Sequence, residues 1–171
     1  MANFYGTVDG FFAYCTSLGY AVSSYSPSPS EVVEAALMRG SAYIDGKYRS
    51  RFPGKRTSGR SQPREWPRID AIDASGETIA DDETPVEIQY ATYEAAFREL
   101  TTPGSLMPDY VATERVQSER VGDLSVTYAN STIMRASDSW PVIGVIDGIL
   151  GPLLVSTTSP LFGETSGPYA S

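Results

Sequence analysis

The chain has 171 residues, with 13 Lys+Arg against 21 Asp+Glu, one cysteine and no histidine. That length suits one domain with an appendage, and 41% hydrophobic residues are enough for a core, which excludes a wholly disordered chain. The missing histidine removes the commonest general base and metal ligand, and a lone Cys15 excludes an internal disulfide or a cysteine-based zinc site. A net charge of −8 argues against a wholly cationic nucleic-acid binder.

The first predicted helix is Val8 to Leu18. Thr7 caps it, Asp9 suits the positive end of its dipole and Gly19 supplies a left-handed stop. Val8, Phe11, Cys15 and Leu18 make one apolar stripe, so Cys15 reads as a buried structural thiol. After the Ser/Pro connection SSYSPSPS, a helix of about 20 residues is expected, with Ser28 as cap, Pro29 in first position and Glu31 completing a capping box. Val33, Leu37, Ile44 and Tyr48 share its face, and Pro53-Gly54 stops it near Phe52.

Residues 53 to 82 read as a long connection with a turn at Ser75-Gly76, and a loop of that length is usually functional or stitched into a neighbour. A third helix follows, with Thr84 as cap, Pro85 first and Glu87 in the box. Val86, Tyr90, Tyr93, Phe97 and Leu100 form an a/d-type seam, which Ile88, Ala91, Ala95 and Ala96 widen. A helix apolar on this much of its surface is central in its bundle or meets a second chain.

Beyond residue 110 the period changes to two. Glu114 to Val121 and Leu124 to Tyr128 flank Gly122-Asp123, the pattern of a β-hairpin with a two-residue turn. A polar linker, ANSTIMRASDS, leads to the apolar run Trp140 to Val155, which is too short for a membrane span, and then to a Ser/Thr/Gly/Pro-rich end. Two readings stay open for that run: an arm that folds onto a partner, or a C-terminal helix covering the chain's own core. The predicted architecture is mainly α, a three- to four-helix bundle with a β-hairpin and an extended C-terminal arm. Residues 1–130 form the helical domain, and 131–171 the linker and arm.

Charge is segregated along the chain. The window from Arg39 to Arg68 holds nine basic and two acidic residues, a charge of +7, which leaves −15 on the remainder. Its cations face phosphates, an acidic protein rim, or acidic neighbours in the same fold. No phosphate-binding loop motif and no catalytic triad occur, and the acidic clusters Asp70/Asp73 and Asp81-Asp82-Glu83 read as solvated turns rather than metal sites. The expectation is a protein without catalytic activity, cofactor or metal. The opening Met-Ala-Asn-Phe lacks the pattern of a secretory signal peptide.

The order AYIDGKY, then SRFPGKRTSGRSQPREWPR, a turn with Gly76, TPVEIQYATYEAAFREL and the RVGDLSVTYA hairpin resembles a family of tailed-phage proteins labelled DnaT-like single-stranded-DNA-binding proteins. These are similar to the adaptor class of head-to-tail connectors. The resemblance covers roughly residues 5 to 130, with Phe-Pro-Gly-Lys-Arg and Glu-Trp-Pro-Arg its most specific pieces. It implies a structural protein of the virion neck, made in the host cytoplasm. Such a protein forms a ring, commonly of twelve copies, that joins the portal to the next neck or tail protein and contacts genomic DNA transiently as it passes. The alternative it implies is a single-stranded-DNA-binding protein of DnaT-like type.

On either reading the basic loop carries the contacts, to a neighbouring subunit or to DNA. Its candidate residues are Arg49, Arg51, Lys55, Arg56, Arg60, Arg64, Trp66 and Arg68. Phe52 and Trp66 are the only aromatic residues inside it that are available to stack on bases. The candidate portal-binding arm is Trp140, Ile143, Ile146, Ile149, Leu150, Leu153 and Leu154. No membrane partner is expected.

Overall fold

The computed structural model describes residues 3–22, 25, 30–107, 118–121, 124–127 and 140–155. Four helices pack together: α1 Val8–Ser17, α2 Ser30–Tyr48, α3 Val86–Thr101 and α4 Gly144–Leu150. Two short antiparallel pairs accompany them, β1 Lys55–Arg56 with β2 Arg68–Ile69, and β3 Ser118–Val121 with β4 Leu124–Thr127. The mainly helical architecture with a hairpin is as the periodicity predicts. Val121 opposite Leu124 is the register that a two-residue connection requires.

Local chemistry accounts for most element ends. Thr7 is in extended conformation and its hydroxyl accepts from the Gly10 N–H at 2.9 Å, which starts α1; Gly19, at φ +74°, ends it. Phe11 and Cys15 are buried as the stripe predicts, but Leu18, at the C-cap, is exposed. On α2 all four predicted face residues, Val33, Leu37, Ile44 and Tyr48, are buried. The expected cap residues Ser28 and Pro29 lie outside the described residues. α3 begins one residue later than its capping pattern suggests, with Pro85 at the cap position and no side-chain cap bond.

The seam on α3 also needs correction. Tyr93 is buried and Phe97 and Leu100 pack partly buried against the core as the seam predicts, but Val86 and Tyr90 are exposed, and the fully buried face runs through Ile88, Ala91, Ala95 and Ala96. The cause is close approach of α2. Gly40 sits so near α3 that an added Cβ would lie 2.9 Å from the Thr92 carbonyl oxygen, so the alanine face, not the aromatic one, meets α2. α3 is the central helix. Tyr93 and Ala96 join the apolar cluster of Phe11, Cys15, Val33 and Leu37; Ile88, Ala91 and Ala95 join the other, with Tyr43, Ile44, Phe52 and Trp66.

The second cluster is completed by the C-terminal run. Ile143, Ile146, Leu150, Leu153 and Leu154 are buried in it, with Ile149 and Trp140 packed against its edge. Trp140 stacks on Tyr43 with ring centroids 5.8 Å apart. The Tyr48 hydroxyl donates to Asp147, and the Pro141 carbonyl accepts from the Tyr43 hydroxyl at 2.9 Å and from Lys47 at 3.0 Å. Residues 140–155 are therefore the fourth element of the bundle and not a free arm. The apolar side chains assigned to portal binding fill the chain's own core, because burying them there removes the same surface from water without a partner.

Candidate functional site

The long connection between α2 and α3 carries the basic loop, and the fold divides its cations into two sets. The inner set is structural. The Arg68 guanidinium donates to the carbonyls of Pro53 at 2.6 Å and Gly54 at 2.8 Å, pairs with Glu65 at 2.9 Å and lies over the Phe52 ring. Arg64 donates to the Asn3 carbonyl at 2.9 Å and pairs with buried Asp45 at 3.4 Å. Between them Trp66 is only 2% exposed, edge-on to Phe52, which is 6% exposed. Its backbone N–H donates to the Tyr5 hydroxyl, which in turn donates to Asp45 at 2.5 Å. Burial pushes the Asp45 carboxyl above the ordinary carboxylate range, while Tyr5 and Arg64 pull against that shift. These residues clamp the loop to α2 and to the segment before α1.

The outer set faces solvent. Arg49 is 62% exposed, with Glu65 no nearer than 3.8 Å. Lys55 and Arg60 are exposed and have no ion-pair partner among the described residues. Arg56 is half-buried and donates to the Gln62 carbonyl at 3.2 Å. Arg51 is half-buried, with Nε unpartnered among the described residues. The tip itself is held firmly. Ser58 N–H donates to the Gln62 side-chain oxygen at 3.0 Å, and the Gln62 amide donates to the carbonyls of Arg64 and Pro67, both at 2.9 Å. The Thr57 hydroxyl donates to the Asp81 carbonyl at 2.8 Å, so the cationic tip stands beside the exposed acidic turn Asp81-Asp82-Glu83.

Of the eight loop residues singled out from sequence, the fold thus brings Arg64, Trp66 and Arg68 inside and leaves five at or near the surface. Neither aromatic residue available for stacking on bases is accessible. The acidic residues form no metal cage among the described residues. Asp73 instead accepts from the N–H groups of Ser75 and Glu77, closing the turn predicted at Gly76. Cys15 is fully buried, and burial, with the Glu94 charge next, pushes its thiol up to about 12.

One feature went unread in the sequence. A cleft of about 420 Å³ opens between α1 and α3, with Tyr14 and Tyr90 on its walls. Behind it Glu94, 2% exposed, accepts from the hydroxyls of Tyr14 at 3.0 Å and Tyr20 at 2.9 Å. The available signal was the small residues Gly10 and Ala13 on α1 set against the aromatic residues Tyr90 and Tyr93 on α3.

Fold and loop together define a small helical bundle that displays a braced, cationic loop. A family model described as "Putative DnaT-like ssDNA binding protein" matches residues 1–166, and the chain belongs to that family. No curated protein and no solved structure matches it at a significant level.

Proposed function

We propose that the chain binds single-stranded DNA through its phosphate backbone, using the outer cations Arg49, Lys55, Arg56 and Arg60, and that it does so without stacking bases. The observation that carries this reading is the division of the loop: its cations reach solvent while Phe52 and Trp66 are buried. Phosphate contact alone is sequence-independent and salt-dependent. The neighbouring Asp81-Asp82-Glu83 turn and the net charge of −8 lower the local positive potential, so binding is weak and confined to low salt. Anisotropy of a labelled oligonucleotide titrated with protein over a range of salt is the test. Four phosphate contacts give a slope of log K against log[salt] of about −3 for a single strand, and Arg60→Ala lowers its magnitude by about 0.7. Absence of binding at low salt, or binding that salt leaves unchanged, rules the reading out.

A second reading is a neck subunit of a tailed bacteriophage, a ring that joins the portal to the next component and lets DNA pass. The closeness of the cationic tip to an acidic turn favours it, since a surface bearing both signs suits contact with another protein surface better than contact with phosphates alone. With the C-terminal run folded into the bundle, the large apolar side chains it leaves exposed for a portal are Val142, 81% exposed, Val145 and Val155. Light scattering and electron microscopy of the protein mixed with a portal test it. Protein that stays monomeric in that mixture defeats it.

A further inference from the structure

The cleft between α1 and α3 has the chemistry of a cation receptor. The rings of Tyr14 and Tyr90 lie 4.9 Å apart and tilted by 31°, with Tyr90 and Val86 exposed at the rim. The small, exposed Ala13 leaves the α1 wall low, while Gly10 makes room for the Tyr93 hydroxyl at the floor. Beneath Tyr14 is the buried Glu94 carboxylate, which has no Lys or Arg within 4 Å among the described residues. Asp9 and Glu87 add negative charge one helical turn from Ala13 and Tyr90. Aromatic faces backed by negative charge attract a guanidinium both by cation–π contact and by Coulomb attraction.

The chain itself carries the matching group. Arg60 projects from the one-turn 3-10 helix Gly59–Ser61, is exposed, and has no hydrogen-bond or ion-pair partner among the described residues. The bonds that brace Ser58 and Gln62 fix the backbone that presents it, so contact orders the Arg60 side chain but not the loop. We propose that the α1/α3 cleft receives the Arg60 tip of a second copy of this chain, with the guanidinium seated against Tyr14 and Tyr90 and drawn by the negative charge of Glu94 behind them. Tip and cleft are different surfaces, so the contact is heterologous and repeats from copy to copy. The proposal does not rest on the DNA reading, although both use Arg60: the cleft lies outside the basic loop and takes no part in phosphate contact.

Sedimentation velocity of the full chain, over a concentration series at low and high salt, tests it with two variants. Arg60→Ala removes the tip, and Ala13→Arg blocks the cleft with bulk and like charge while keeping a good helix former. The wild type self-associates, less so at high salt. Each variant alone self-associates about tenfold more weakly or worse, the loss expected when an anchoring arginine is removed. Mixed together, the two variants form a 1:1 heterodimer, because one intact tip meets one intact cleft. Circular dichroism reports whether each is folded. Wild type that is monomeric throughout, either variant assembling like wild type, or a mixture that stays monomeric overturns the proposal. The same variants keep the two readings apart: Ala13→Arg binds the oligonucleotide as wild type does, whereas Arg60→Ala binds it more weakly.

Discussion

Arg68 and Arg60 differ by eight positions and have opposite roles. Arg68 satisfies two backbone carbonyls and Glu65 inside the fold, so Arg68→Ala leaves buried acceptors and a carboxylate without their donor. That loss costs about 3 kcal/mol or more of stability, read from the urea midpoint. Arg60→Ala, at a surface site, changes stability by less than about 0.5 kcal/mol. Gly54 is a second point at which the loop admits no substitution. It sits at φ +64°, and a Cβ there would overlap the Ile69 carbonyl oxygen opposite. Gly54→Ala therefore destabilises by roughly 2 kcal/mol, the left-handed penalty and the overlap acting together. A stability unchanged by that substitution contradicts the β1–β2 closure of the loop.

At the scale of elements the decisive feature is α4. Seven residues with three glycines in and beside the helix have little intrinsic helical stability. The helix persists because Ile146 and Leu150 are fully buried against α2 and α3 and because Asp147 and Pro141 take the hydroxyls of Tyr48 and Tyr43. Leu150→Ala should cost about 2–5 kcal/mol, while Val142→Ala, at an exposed position, should cost less than about 0.5 kcal/mol. Removing residues 140–171 uncovers Tyr43, Ile44 and Ile88, and the truncated protein melts well below the full chain. Equal melting temperatures for the two would restore the free-arm reading.

For the whole molecule, the hydroxyls that tie helices together set an alkaline limit. Burial raises Tyr5, Tyr14, Tyr20, Tyr43 and Tyr48 above their ordinary value, Tyr43 to about 12, and nearby Asp45, Glu94 and Asp147 carboxylates add to the shift. A group whose folded value is raised contributes stability that is whole below its unfolded pKa, near 10, and is lost as pH rises towards the folded value. The protein should therefore keep its stability up to about pH 10 and lose it above, with tyrosinate absorbance and loss of helix appearing together. Ionisation of all tyrosines near pH 10 with the fold intact contradicts this packing. The same molecule-wide view explains the charge segregation. Of the nine cations in the window, Arg64 and Arg68 pair with Asp45 and Glu65 inside it, and Arg39 and Lys47 meet Glu99 and Asp147 from outside it, so only the outer cations remain for a partner.

The sequence by itself determined three helices and the β3–β4 hairpin, but not β1, β2 or α4. Apolar spacing placed α1, α2 and α3, Thr7 and Gly19 bounded α1, and alternation around Leu124 to Thr127 marked the hairpin, because these signals act over one or two turns of chain. Tertiary structure alone decided which cations face inward and where residues 140–155 go. Arg64 meets Asn3 across 61 positions, and Tyr48 meets Asp147 across 99. No local period encodes such pairs. A loop arginine reads the same in sequence whether its guanidinium ends on solvent or on a backbone carbonyl, and an apolar run reads the same whether it covers its own core or a partner's; the competition for burial is settled only when the whole chain has packed.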